Sequence, residues 1–156
     1  MISRLSDPVL AAFAEAEISR VAGGSADIVV TDQPDVAVTA DRPVAFIGSS
    51  LEGIMLAVTN PNNHGILHPR DLTIEILDAL SRGISVFSAF EPADLEISEL
   101  EYRLIFHLAH STSMELAAKS VGYSARHVRR LASGIRESAG VAGSFGWARL
   151  APLLQP

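Results

Sequence analysis

The periodicity of the chain changes once, near Ser98, and that change limits what the chain can fold into. Before Ser98, short β-type apolar runs alternate with helical patterns, which is how an α/β layered domain reads. Ile28-Val29-Val30, Val36-Ala37-Val38 and Val44-Ala45-Phe46-Ile47 are continuous apolar runs bounded by Asp, Pro, Gly and Ser, as buried parallel strands are. Gly65-Ile66-Leu67 predicts another strand and Ile2 to Leu5 a first one, while Ile84 to Phe90 reads as a strand or a linker. Asp7-Pro8 offers an N-cap with proline at the first helical position, followed by Val9, Leu10, Phe13 and Ala16-Glu17 at helical spacing. Ser50 to Thr59 predicts a second helix, ended by Asn60-Pro61-Asn62-Asn63. Asp71 to Ser81 predicts a third, with Leu72, Ile76, Leu77 and Leu80 on one face and Gly83 just past its end.

From Ser98 onward the pattern is helix only. Ser98 with Glu101, and Thr112 with Glu115, have capping-box spacing: the hydroxyl accepts from a backbone N–H and the glutamate reaches back to another. The first of these helices is expected to bury Leu100, Leu104, Ile105 and Leu108, and the second carries Met114, Leu116, Ala117 and Val121. Gly122-Tyr123-Ser124 makes a tight turn, Ser124 caps a third helix running to about Ser138, and Phe145 to Leu154 forms a fourth. The expected organisation is an α/β domain over 1–90, a linker over 91–97 built on Glu91-Pro92-Ala93-Asp94, and an all-α domain over 98–156.

Composition excludes several classes of function. With no cysteine, disulfides, thiolate metal sites and Cys nucleophiles are absent together. Apolar residues at 48% and charged residues at 19% give a globular balance. The apolar stretches around Val9 to Ala16 and Ile54 to Val58 fall short of the roughly 20 residues of a membrane helix. The first residues also lack a basic-then-apolar signal pattern, so a soluble cytoplasmic protein without membrane contact is expected. His64 and His68 with Asp71 are separated by Gly and Pro and are not on one helix; no metal, cofactor or catalytic constellation is expected, and hence no enzyme.

The net charge of −6 would argue against a nucleic-acid partner, whose binding is driven by phosphate neutralisation. It divides unevenly, however: residues 1–97 hold 5 Lys/Arg against 14 Asp/Glu, and residues 98–156 hold 7 against 4. An acidic half joined to a basic one fits a DNA-contacting C-terminal domain. A helix, a glycine-containing turn and a helix with basic residues in its first two turns is the helix-turn-helix arrangement, whose second member enters the major groove. The buried face of that helix is expected to be Val128, Leu131 and Ile135, and the outward face Arg126, His127, Arg129, Arg130 and Ser133. Guanidinium forks suit guanine edges and phosphates. The plain alternative is a solvated basic face.

On Glu101, Leu108-Ala109, Glu115-Leu116-Ala117, Gly122-Tyr123-Ser124, Val128 and Gly140-Val141, the stretch from Leu100 to Val141 resembles the LuxR-type helix-turn-helix of NarL/FixJ-type response regulators. A sigma-factor-like module shares this geometry. The resemblance implies binding to double-stranded DNA, with Arg129 and Arg130 at base edges, Ser124 and Arg126 at the backbone near the helix start, and Ser133 at either. It also implies a homodimer, with contacts from Phe145, Trp147 and Leu150 on the fourth helix. Ser138 stands where the family often has a basic residue and Gly134 where it has an apolar one.

That family usually carries a phospho-receiver, and parts of the N-terminal half resemble one: Asp7-Pro8-Val9-Leu10, Pro34-Asp35-Val36-Ala37-Val38 as the strand before the phosphoacceptor, Pro43 to Ser49, Gly65-Ile66-Leu67-His68-Pro69, and Asp71 to Gly83 as its last helix. The acceptor would fall at Ala40 or its neighbour Asp41, or at Asp32, and His68 stands in place of the receiver lysine. With helices between Ile28 and Phe46 expected to be missing, the resemblance implies a truncated pseudo-receiver with a reduced parallel sheet, working without phosphorylation. Such a domain could hold a regulatory protein or a small ligand at the strand C-terminal ends. A different class of function is a protein-interaction module that docks on a kinase or another regulator without binding DNA.

Overall fold

The computed structural model describes residues 2–12 and 28–156. Five parallel strands form one sheet in the order of the chain: β1 (Ile2–Arg4), β2 (Val29–Thr31), β3 (Val44–Ile47), β4 (Asn63–Leu67) and β5 (Val86–Phe87). Between them lie α1 (8–12), α2 (Pro34–Thr39), α3 (Leu51–Ala57) and α4 (Ile74–Ser81). Asp7 caps α1, its Oδ1 accepting from Val9 N at 2.8 Å; Phe13 and Ala16-Glu17 lie outside the described residues.

The apolar runs are continuous because both faces of the sheet are covered. Val29, Val44, Phe46 and Ile66 point to one side, against Ala37 of α2 and Ile54, Met55 and Ala57 of α3. Ile28, Val30, Ala45, Ile47 and Leu67 point to the other, against Leu77 and Leu80 of α4 and Leu10 of α1. The sequential strand order differs from the 2-1-3-4-5 order of flavodoxin-like doubly wound sheets, which has a switch point. From β3 to β5 the chain steps one way across the sheet, with α3 and α4 on opposite faces. One of these two crossovers therefore has the rare left hand.

Val36-Ala37-Val38, expected as a strand, is helical. Pro34 occupies the first turn of α2 with Asp35 beside it, a favourable start, and a three-residue apolar run has no periodicity of its own to oppose it. A helix does therefore fit between Ile28 and Phe46. Asn60 fixes its end, donating from Nδ2 to Ala37 O at 2.7 Å and to Ala40 O at 3.0 Å. The predicted Asp71–Ser81 helix begins later, at Ile74 behind a Thr73 cap, because Pro69–Asp71 forms a separate 3-10 turn.

The C-terminal half consists of α5 (Glu99–His110), α6 (Met114–Val121) and α7 (Ala125–Ser138), followed by a 3-10 segment at Trp147–Leu153. The predicted fourth α-helix over Phe145–Leu154 does not form. Pro152 lacks an N–H and disfavours α geometry at the residue before it, and the tighter segment lies along α5 instead. Leu150 is 1% exposed there, which removes it from any dimer surface.

The two halves share one apolar core. Phe90, Leu95, Tyr102, Ile105, Leu150 and Leu153 join the cluster that contains α3 and one face of the sheet. Polar bonds pin the junction: Phe90 N donates to Leu153 O at 2.8 Å, and Arg149 Nη1 donates to Val58 O at 2.9 Å and Thr59 O at 3.0 Å, at the end of α3. The Tyr102 hydroxyl lies 2.7 Å from Phe90 O and accepts from Gln155 N at 3.1 Å. The 91–97 stretch, expected as a linker, is packed. Leu95 is buried, and Asp94 accepts from Glu91 N at 2.9 Å and from both terminal nitrogens of Arg70.

A shared core unfolds as a unit, so Trp147 fluorescence and far-UV circular dichroism are expected to report one coincident urea transition. Leu150→Ala should lower stability by about 2–5 kcal/mol through both probes. Separate transitions, or wild-type stability in the Leu150→Ala variant, would contradict this packing.

Candidate nucleic-acid interface

Three helices build the platform. Leu104 and Leu108 of α5, Ala117 and Ala118 of α6, and Val128 and Ala132 of α7 form its core, with Leu131 and Ile135 half-buried at its edge. The apolar stripe of α7 is thus centred nearer Ala132 than the predicted Leu131. Leu100, expected inside, is 51% exposed, and Leu116 of α6 is 50% exposed.

Each helix start is capped by a serine. Ser98 Oγ accepts from Glu101 N at 3.1 Å and Ser124 Oγ from His127 N at 3.2 Å, both at the predicted positions. The cap of α6 is Ser113, whose Oγ accepts from Leu116 N at 3.2 Å, and not Thr112. Two adjacent hydroxyls offered two registers, and the chain takes the one that starts α6 a residue later. Gly122 closes α6 with φ 76°, a left-handed turn that an L side chain would strain, and its N–H satisfies carbonyls of the last turn.

The turn delivers α7 with its polar side outward. Arg126, Arg129, Arg130 and Ser133 follow at i, i+3, i+4 and i+7 and share one side of the helix, opposite Val128 and Ala132. Ser124, Arg126, His127 and Arg130 border a concavity at the start of α7. The three arginines are exposed. His127 is half-buried, edge-on to the Tyr123 ring at 4.9 Å, and its Nδ1 accepts from Arg130 Nη2 at 3.0 Å. Ser133 turns along the helix to donate to Glu137 Oε1 at 3.1 Å. Arg129 pairs with Glu115 of α6, a partner that the capping-box spacing of Glu115 with Thr112 conceals in the sequence. Phe145 and Trp147 stack edge-to-face at 5.1 Å, half-buried against the core. Gly134 is exposed within α7, and a Cβ there would meet nothing within 4 Å.

The phosphoacceptor candidates are not brought together. Asp32 sits at the C-terminal end of β2, and both its oxygens are engaged, accepting from Ser6 N at 2.8 and 2.9 Å, Ser6 Oγ at 2.7 Å and Asp7 N at 3.1 Å. Asp41 precedes β3, at the opposite end of the sheet, with its side chain 90% exposed beside Arg42. His68 Nδ1 accepts from Arg70 N at 3.1 Å, capping the 3-10 turn. Ser50 caps α3, its Oγ accepting from Gly53 N at 3.1 Å. Among the described residues, no helix is long and apolar enough to cross a membrane.

Two carboxylates are tuned downward. Burial raises the Asp32 carboxyl, but the hydroxyl and N–H of Ser6 and the N–H of Asp7 outweigh it and hold it below the ordinary aspartate value. The Arg70 guanidinium holds Asp94 below that value against burial. A carboxyl depressed by folding adds stability above its unfolded pKa of about 3.9 and loses it as pH falls through the folded value. Asp32→Asn and Asp94→Asn should therefore be less stable than wild type at pH 7, with the gap in urea midpoint narrowing as pH falls below about 4. A gap constant with pH would refute the assignment. Gly134→Ala should raise the urea midpoint, by about 1 kcal/mol of helix propensity, since nothing opposes the added methyl.

Compared with known proteins, the chain matches no family model and no curated protein sequence.

Proposed function

We propose that the chain is a double-stranded-DNA-binding transcriptional regulator of the LuxR helix-turn-helix type, with a parallel-sheet α/β half, unlike a receiver in its sequential strand order, that works without phosphorylation. The observation that carries this reading is the capped turn from α6 into α7, which leaves Arg126, Arg129 and Arg130 exposed on one side of a 14-residue helix whose other side is buried.

The dimensions suit the task. A single helix fits the major groove, and its first turns carry the residues that meet base edges. Ser124 and Arg126 stand at the helix start, where backbone N–H groups and a guanidinium suit a phosphate. The engaged oxygens of Asp32 and the remote place of Asp41 support independence from phosphorylation. A homodimer would meet through Phe145 and Trp147, since Leu150 is committed to the core.

Selection from a random duplex library at about 0.1 M salt, near a Debye length of 10 Å, tests the reading. Wild type is expected to enrich a two-fold motif. Arg129→Ala and Arg130→Ala should each cost about 1–3 kcal/mol at that site and relax one base position. Arg126→Ala should weaken binding to all sequences alike and flatten the salt slope by about 0.9. Enrichment of no duplex would transfer the motif to protein docking, for which Leu100 and Leu116 are the exposed apolar contacts.

A further inference from the structure

Glu115 reaches across from α6 to Arg129 on α7, and the form of that contact bears on how Arg129 can be used. With Ser113 as the cap, Glu115 stands at the second helical position, where the reciprocal capping bond is not available to it. Its Oε1 takes a single donor, Arg129 Nη2. The other N–H groups of the guanidinium have no partner among the described residues. The side chains are 57% exposed for Arg129 and 62% exposed for Glu115, so the pair adds little to stability. What it changes is the freedom of a long side chain on the helix face that meets DNA.

We propose that Glu115 is a positioning residue for base reading, holding Arg129 by one N–H so that the rest of its donor fork faces a guanine edge. The inference rests on the DNA-binding reading above. A guanidinium has five N–H donors in a fixed plane, and guanine offers two acceptors, O6 and N7, that take two of them. A carboxylate holding a third donor from the side fixes the plane before binding, so less rotamer entropy is lost at the base. It also restrains Arg129 from swinging to the nearest phosphate, which would add affinity for every sequence and information about none. Guanine recognition keeps the pair, and wandering to a phosphate breaks it.

Glu115→Gln removes the charge and keeps the shape. The test measures fluorescence anisotropy for wild type, Glu115→Gln, Arg129→Ala and the double variant, across a salt series. The probes are the duplex enriched by selection, the same duplex with its contacted guanine replaced, and an unrelated duplex. For Glu115→Gln, discrimination against the replaced guanine should fall about threefold to tenfold, the cost of ordering one long side chain. The salt slope on the unrelated duplex should steepen by about 0.9, one added phosphate contact. Both changes should vanish in the Arg129→Ala background, and Glu115→Ala should reproduce them. Unchanged discrimination and slope in Glu115→Gln would overturn the proposal. So would changes that persist without Arg129, because Glu115 would then act through its own charge. Wild-type protein that binds no duplex in a salt-dependent way would remove the DNA-binding reading itself, a failure visible before any variant is compared.

Discussion

The apolar surface around α3 is the constraint on which the rest of the molecule depends. Its inner residues Ile54, Met55 and Ala57 close one face of the sheet, and the same cluster runs on into Phe90, Ile105, Leu150 and Leu153. Neither half could expose that surface to water without losing a large apolar area, at about 25 cal/mol per Å². The polar bonds at the junction are what burial requires of backbone groups taken from water: Arg149 satisfies the carbonyls of Val58 and Thr59 just past α3, and Leu153 O serves Phe90. The basic face of α7 is therefore carried on a frame whose position relative to the sheet is set by packing. Any signal received by the α/β half would have to act through this shared core and not through a free tether.

Much of this frame was legible in the sequence, for physical reasons that differ from element to element. Val44 to Ile47 and Gly65 to Leu67 are recognisable because strands covered on both faces have no polar alternation. Ser98, Ser124 and Gly122 are recognisable because caps and left-handed turns admit few residue types. Val36-Ala37-Val38 misled because three apolar residues fit either period, and the proline before them was the better guide. Thr112 misled because a neighbouring serine competes for the same role and local spacing cannot separate them. Periodicity places Leu100 inside, yet a helix of 12 residues packed on few neighbours does not bury every apolar position, and Leu116 of the 8-residue α6 is exposed as well. The Arg129–Glu115 pair joins residues on two helices, and no local pattern announces it.

The candidate site follows the same division. The side of α7 that carries the arginines was readable, since i, i+3, i+4 spacing fixes a helix face. Their environments were not. His127 Nδ1 is tied to Arg130 and its ring to Tyr123, and the Ser133 hydroxyl to Glu137, so two outward-face residues engage groups within the molecule. Side-chain partners depend on the rotation of one helix against the next, which turns on packing at Ala117, Val128 and Ala132.

The uneven charge takes on meaning once the halves are held together. Residues 1–97 carry 14 acidic against 5 basic residues, while the arginines of α7 belong to the basic remainder. On a free tether the acidic half could drift more than a Debye length, about 8 Å at physiological salt, from a bound polyanion. Packed through α3, it cannot retreat. A nucleic acid approaching α7 would meet an attractive local surface against a repulsive background, which weakens attraction that ignores sequence. Short-range contacts would then have to supply the affinity, and for a guanidinium those are the bidentate ones, which also distinguish bases. An acidic protein that reads DNA is consistent on these terms, because its net charge opposes the non-specific part of binding while leaving the contacts of one helix intact.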